Sequence, residues 1–444
     1  MFGDGSIFSY AVAAQDAWAF HWHNISGRLF TYLLAYPVAE TVVAVSHNAA
    51  AGIAVFGTVF FSAPLLGLAL TFAVDRTARR IIFNYACLST VCLCPFVYGT
   101  PTEMWVAHAL FWPALALCWS APTTWPGTAA VFVALLALAF THEGAIVLAT
   151  TIMFALFLRG GSDARFLRAL GAFSAVLLIW GLVKLTIRPD DYIASVLAAA
   201  AFKFIDIRNL AQPASMLLLA GLCAYAFFFA MFRRVSAPKP HVCAAALSAA
   251  LLAACWIWFD RSLLTEARYD LRTLLLIMIP VFGVMASLHA MSDAERRNSP
   301  FPFLGRWASA LEATVDPAVV AGALLLVMLV HVVETTRFIL GWVDYKAAVR
   351  ALATGSASDP ELGSPDFVSS RRIGADLNRL DWNSTTPYLS VLVTPGLQPT
   401  RLVVDPDANY FWLSCKTATD SEQISTAIPA AARHLVRLHA CLHR

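Results

Sequence analysis

The chain has 444 residues, 59% hydrophobic and 13% charged, with a formal net charge of +3. Soluble domains carry about 25% charged residues, so the composition excludes an ordinary water-soluble domain and favours a protein whose surface meets lipid. The small net charge leaves no electrostatic footprint for nucleic acid.

Residues 1–48 are rich in aromatic side chains and His, and are expected to form an extracytoplasmic loop with interfacial amphipathic helices. Ten apolar runs follow, at 49–74, 81–98, 104–121, 127–141, 144–158, 169–187, 213–232, 242–259, 273–290 and 317–336. A spanning helix needs ~20 apolar residues, and most of these runs come near that length. Only His142 and Glu143 interrupt 127–158. A single helix there would be about thirty residues, more than a bilayer requires, so two helices joined by a tight turn are expected. The transmembrane domain is placed at 49–340. Beyond it the chain turns polar, with a helix-like VDYKAAVRALATG, a loop at 354–370, strand-like YLSVLVT and TRLVVDP, and a final helix from Ser421. The expected fold class is an α-helical polytopic membrane protein of about 10–11 transmembrane helices, with a small C-terminal α/β extracytoplasmic domain over 341–444. No repeat, phosphate loop or dinucleotide glycine pattern is visible, which argues against an ATP-driven pump.

Seven of the nine cysteines (Cys87, Cys92, Cys94, Cys118, Cys223, Cys243 and Cys255) lie in apolar runs and read as small hydrophobes. Cys415 and Cys441 stand in a polar region, where a disulfide between them would suit an oxidising compartment.

The charges between the runs alternate in kind. Loops at 75–80, 159–168, 233–241 and 291–316 hold Arg76, Arg79, Arg80, Arg159, Arg165, Arg168, Arg233, Arg234, Lys239, Arg296, Arg297 and Arg306. The opposite loops hold Arg188, Lys203, Arg208, Arg261, Arg268 and Arg272, about half as many. Basic residues favour the cytoplasmic face, so both termini fall outside, in a bacterial inner membrane by the Ala- and Arg-rich composition. An outside N-terminus implies either a spanning helix upstream of Met1 or a crossing by 29–46. Pro37 and Glu40 favour the former.

Ionisable groups at membrane depth are costly and mark functional candidates. Asp4, between Gly3 and Gly5, suits a general base for a sugar hydroxyl or a ligand for a divalent cation, although a turn Asp would look the same. His23 and Arg28 follow in the aromatic segment. Glu103 opens an apolar run, where an acid also favours a helix N-terminus. His142 and Glu143 sit at a hairpin tip and need partners there. Arg261, Arg268 and Arg272 form the densest basic cluster, and their forks match phosphate oxygens, though an interfacial Arg–Asp set would read alike.

In Gly3-Asp4-Gly5, the segment 18–28, Glu103, His142-Glu143 and the Arg268–Arg272 cluster, the chain resembles the C-type integral membrane glycosyltransferases. The resemblance is architectural and spans nearly the whole chain. It implies transfer of a hexosyl or pentosyl group from a polyprenyl-phosphate carrier to an extracytoplasmic glycan or lipid acceptor. Asp4 is the position matching that family's catalytic base, with Glu143 beside it in the catalytic set. His142, Glu103, Arg261, Arg268, Arg272, Arg28 and His23 would bind substrate or phosphate. No residue is assigned to a metal. An O-antigen polymerase or ligase, and a lipid or sugar transporter, are the alternatives; a transporter would carry mid-helix charge pairs and repeat symmetry.

Overall fold

A computed structural model describes residues 1–444 except 2, 16, 20, 23–26, 98, 188–212, 238–239, 259–270, 307–308, 310–316, 356–366, 379, 382–384, 398 and 405–444. The chain is mostly helical with few strands. The principal helices are α1 (Asp4–Ala13), α2 (Leu29–Ser46), α3 (Ala49–Val74), α4 (Ile81–Val97), α5 (Glu103–Ser120), α6 (Trp125–Ala139), α7 (Ala145–Gly160), α8 (Ala164–Thr186), α9 (Pro213–Arg234), α10 (Pro240–Trp258), α11 (Leu271–Ala290), α12 (Pro317–Thr354) and α13 (Thr386–Val393). Each of the ten apolar runs lies on a helix of its own, α3 to α12. Among the described residues, three helices, α2, α3 and α8, are long and apolar enough to cross a membrane by length and composition. α6, α7 and the larger part of α11 are shorter apolar helices.

α5 is the axis of the bundle. Nearly all its side chains are buried, from Glu103 through Trp119, and it packs against α3, α4, α6, α7 and α11. A helix that is apolar all round belongs in a core. Contact with α3 is closest at Gly67, where an added Cβ would come within 2.1 Å of the Ala109 carbonyl oxygen. The outer faces show the reverse pattern: Leu65, Leu66 and Leu70 on α3 and Leu178, Leu182 and Leu185 on α8 are exposed.

Three expectations are corrected. In place of a loop with amphipathic helices, α1 is buried from Asp4 to Val12, and 29–46 is one continuous helix. Glu40 is accommodated in it because its carboxylate accepts the Ala17 backbone N–H at 2.9 Å. α12 runs unbroken across 341 to Thr354. YLSVLVT is helix α13, not a strand. Pro387 at its first turn suits a helix start, and burial of Thr386 to Val391 on all sides removes the polar face that periodicity needs.

TRLVVDP does supply strand β2 (Leu402–Val404), parallel to β1 (Phe367–Ser369), with Val368 opposite Val403. The crossover between them holds α13. Ser390 Oγ fixes α13 to β2 by accepting the Val403 N–H at 2.9 Å. Trp342, Tyr345, Val349 and Ala353 of α12 close this small core against Val368, Leu389 and Val403. Tyr10 and Tyr388, with ring centroids 5.3 Å apart, join it to α1. The final helix expected from Ser421, and Cys415 and Cys441, lie outside the described residues.

Because backbone fills the space beside Gly67, Gly67→Val is expected to destabilise the fold by about 1–3 kcal/mol, as overpacking does. A drop in thermal unfolding midpoint relative to Gly57→Ala, whose added Cβ would have only the Met1 side chain near it at 3.8 Å, checks this.

Candidate functional site

Charged side chains from the two kinds of island lie at opposite ends of α5, the mixed islands at 188–208 and 260–270 being outside the described residues. Around its C-terminus, Arg159 and Arg165 both donate to the Trp119 carbonyl, and Arg168 donates to those of Ala121 and Pro122. Arg159 also pairs with Glu295 at 2.7 Å. Cations at a helix C-terminus meet the negative end of its dipole. The 18 residues of α5 then separate this basic end from Glu103 by roughly 27 Å, at 1.5 Å per residue.

The other end holds a buried ion network. Arg28 donates through Nη1 to Glu103 Oε1 and through Nη2 to Glu143 Oε2 at 2.7 Å. Lys184, in the last turn of α8, donates to Glu143 Oε1 at 2.8 Å. Two cations and two carboxylates leave the cluster formally neutral.

Local structure places each member. Gly27 has φ +87°, and a Cβ there would meet Val183 at 3.0 Å, so this turn wants glycine directly before Arg28. The Arg28 N–H bonds to His21 O at 2.9 Å, and the Phe30 N–H bonds to Phe140 O at 3.1 Å. Thr31 Oγ1 donates to Thr141 O at 3.1 Å. These bonds stitch the start of α2 to the hairpin tip between α6 and α7. Thr102 caps α5 and leaves Glu103 in its first turn, where the dipole favours an acid. The hairpin expected at His142-Glu143 is present, and its partners are Arg28 and Lys184.

His142 is fixed by backbone. Its Nδ1 accepts the Gly144 N–H at 2.9 Å, which places the proton of the neutral ring on Nε2. Nδ1 also lies 3.9 Å from Glu143 Oε2. A nitrogen that is already accepting cannot donate, so this contact is not an ion pair. Burial, and after it the Arg28 cation, hold the imidazole below its usual range. Burial opposes the Glu143 charge, but Arg28 and Lys184 outweigh it and hold the carboxyl well below the usual carboxylate range.

An aromatic layer adjoins the cluster. His21 lies against Tyr36 with ring centroids 4.3 Å apart, and Tyr36 against Phe56 at 4.6 Å. Trp18 and Trp22 stack at 5.5 Å.

The structure thus brings together Arg28, Glu103, His142 and Glu143. Asp4 is buried at the start of α1; its neighbour Gly5 abuts Pro101, two residues before Glu103. His23, Arg261 and Arg268 lie outside the described residues, and Arg272 is placed only as backbone at the start of α11. The sequence reading missed Lys184 and Tyr36 as site members. A lone Lys in the last turn of an apolar helix was the available signal for the first; Tyr36 in an apolar run had none. No group of three or more His, Cys, Asp or Glu spaced to hold a metal occurs among the described residues. Comparisons with protein-family models, curated proteins and solved structures returned no match.

Glu143→Gln leaves two buried cations undercompensated and is expected to cost about 3–5 kcal/mol, the penalty for removing one partner of a buried pair; chemical denaturation measures it. Folding also depends on pH. His142 and Glu143 both bind protons less readily folded than unfolded. Their stabilisation is therefore complete at neutral pH and is lost on acidification, through His142 from about pH 6.5 and then Glu143 below about pH 4.3. Unfolding midpoints measured from pH 7.5 to 4 are expected to fall accordingly, and His142→Asn to flatten the upper part of the curve.

Proposed function

We propose that the chain is a multi-pass enzyme of a bacterial inner membrane that transfers a hexosyl or pentosyl group from a polyprenyl-phosphate carrier to an extracytoplasmic glycan or lipid acceptor. The observation that carries this reading is the segregation along α5. Arg159, Arg165 and Arg168 gather at one end, and Arg28, Glu103, Glu143 and Lys184 at the other. Their separation matches a hydrocarbon layer of ~30 Å. The exposed leucines of α3 and α8 face outward, as contact with lipid tails would require. About ten spans, basic loops in the cytoplasm and an extracytoplasmic C-terminal domain complete the topology proposed here.

In the reaction, the acceptor hydroxyl oxygen attacks the anomeric carbon as the bond from that carbon to the phosphate oxygen breaks. Polyprenyl phosphate departs with the bonding electrons, and a carboxylate takes the hydroxyl proton. Asp4 is the base in this scheme. Glu143, held by Arg28 and Lys184, is too weakly basic for that step and serves to anchor the cations. Because both cations are already neutralised, charge for the leaving phosphate comes from Arg261, Arg268 and Arg272. A transporter is the weaker reading, since Glu103 and Lys184 sit in terminal turns and the carboxylate inside α2, Glu40, is held by a backbone N–H.

Membranes containing the full chain, supplied with radiolabelled polyprenyl-phosphate hexoses and pentoses, are expected to release polyprenyl phosphate and label an acceptor. Asp4→Asn should slow this by at least about a hundredfold, as loss of a general base does. Undiminished turnover in Asp4→Asn would remove Asp4 as the base.

A further inference from the structure

The turn between α3 and α4, at the basic end of α5, has an unusual backbone. Arg79 at φ 56° and Arg80 at φ 52° are the only consecutive left-handed pair without glycine among the described residues. Residues with a Cβ stay in that region only where surrounding contacts hold them there. Asp75 supplies most of those contacts. It is buried, and its Oδ1 accepts the Thr77 N–H at 2.8 Å and the Thr77 hydroxyl at 2.7 Å. Its Oδ2 accepts the Phe83 N–H at 2.9 Å. Thr77 Oγ1 in turn accepts the Ile81 N–H at 2.9 Å, and the Arg79 carbonyl accepts the Asn84 side-chain amide at 3.1 Å. The Arg76 N–H ties the turn to Ser120, the last residue of α5, at 3.2 Å.

The three arginines of this turn have different surroundings. Arg80 lies over the Phe72 ring, 3.5 Å from its centroid, and donates to the Phe72 carbonyl, so it covers the end of α3. Arg76 and Arg79 are exposed, and neither side chain has a hydrogen bond or ion pair with a described residue. The adjacent carboxylate, Asp75, is engaged by the turn itself. Two fixed cations therefore stand at the surface without a protein counter-ion among the described residues. Beside them the outer side of α3 is apolar: Leu66, Leu70 and Phe72 are all exposed, and Leu66 and Leu70, four residues apart, share one face.

A ligand complementary to this surface has an anionic head over an apolar body. Guanidinium forks match phosphate oxygens, and cations at a membrane surface attract acidic lipids. A free phosphate would answer the charge and leave the exposed leucines uncovered. We propose that the turn seats an anionic phospholipid of the leaflet at the basic end of α5, with Arg76 and Arg79 on its phosphate and Leu66, Leu70 and Phe72 along its acyl chains. The assignment rests on the bilayer placed between the two ends of α5 and is independent of the transfer reaction.

The test titrates the full purified chain, in a neutral detergent, with short-chain phosphatidylglycerol and follows the thermal unfolding midpoint. Phosphatidylcholine of the same chain length is the control. Saturable stabilisation by phosphatidylglycerol, and not by phosphatidylcholine, is expected. Arg76→Gln with Arg79→Gln should weaken it by about fivefold for each arginine. Arg233→Gln with Arg234→Gln, which removes the same charge from the exposed end of α9, should leave it near that of the parent chain. Arg79→Gly separates binding from folding. Glycine takes the left-handed backbone without strain, so this variant should melt no lower than the parent in detergent alone and still bind phosphatidylglycerol more weakly.

Equal weakening by the two double variants would mean general attraction to a basic face and would overturn the proposal. So would equal stabilisation by the two lipids, undiminished binding by Arg79→Gly, or displacement of phosphatidylglycerol by an equal concentration of inorganic phosphate. Sugar transfer that persists without a preference for phosphatidylglycerol would remove the lipid seat alone. Phosphatidylglycerol binding as described in a chain with no transfer activity would uphold the seat and remove the transfer reading.

Discussion

A guanidinium buried at the end of a helix bundle has to be neutralised, and most of this end of the molecule is arranged around that need. Arg28 takes one carboxylate from α5 and one from the turn between α6 and α7. The second carboxylate then takes Lys184 from α8. Four chain segments far apart in sequence therefore meet at one point. Removing an ion from water costs several kcal/mol even after relaxation, so the alternative arrangements in which any one partner is missing are strongly disfavoured. The cluster sets the relative heights of α2, α5, α8 and the α6–α7 turn.

α5 carries that constraint to the opposite end. Its side chains are mostly apolar and nearly all buried, so it cannot tilt or slide without opening gaps beside α3 and α11. At its far end the arginines of the loop after α7 and the start of α8 close on its last carbonyls. The acid-bearing N-terminus and the arginine-bound C-terminus both agree with the helix dipole. One helix thus positions the candidate site and the basic face together.

Much of the helical framework was legible because long apolar runs broken by charge leave few alternatives. The α6–α7 turn at His142-Glu143 was readable for the same reason, since two polar residues stand inside thirty apolar ones. The failures have a common cause. α1 and α13 are short and buried on all sides, so they lack the polar stripe from which a period is read. α12 crosses the expected boundary at 341 without breaking, and its residues from Trp342 to Ala353 pack on the small core. Glu40 seemed incompatible with a continuous apolar helix until its partner, the backbone N–H of Ala17, was visible.

By itself the sequence determined the helices α3 to α12, the sorting of charge into basic and mixed islands, and the candidacy of Arg28, Glu103, His142 and Glu143. Those follow from local composition, since every residue of an apolar run acts on its own neighbourhood. Only the tertiary structure decided which charges pair, and that Lys184 and the His21–Tyr36 ring pair lie beside them; each Glu143 oxygen there accepts from one cation. Pairing depends on contacts across 41 to 115 residues of chain, and no local pattern encodes which carboxylate will reach which cation.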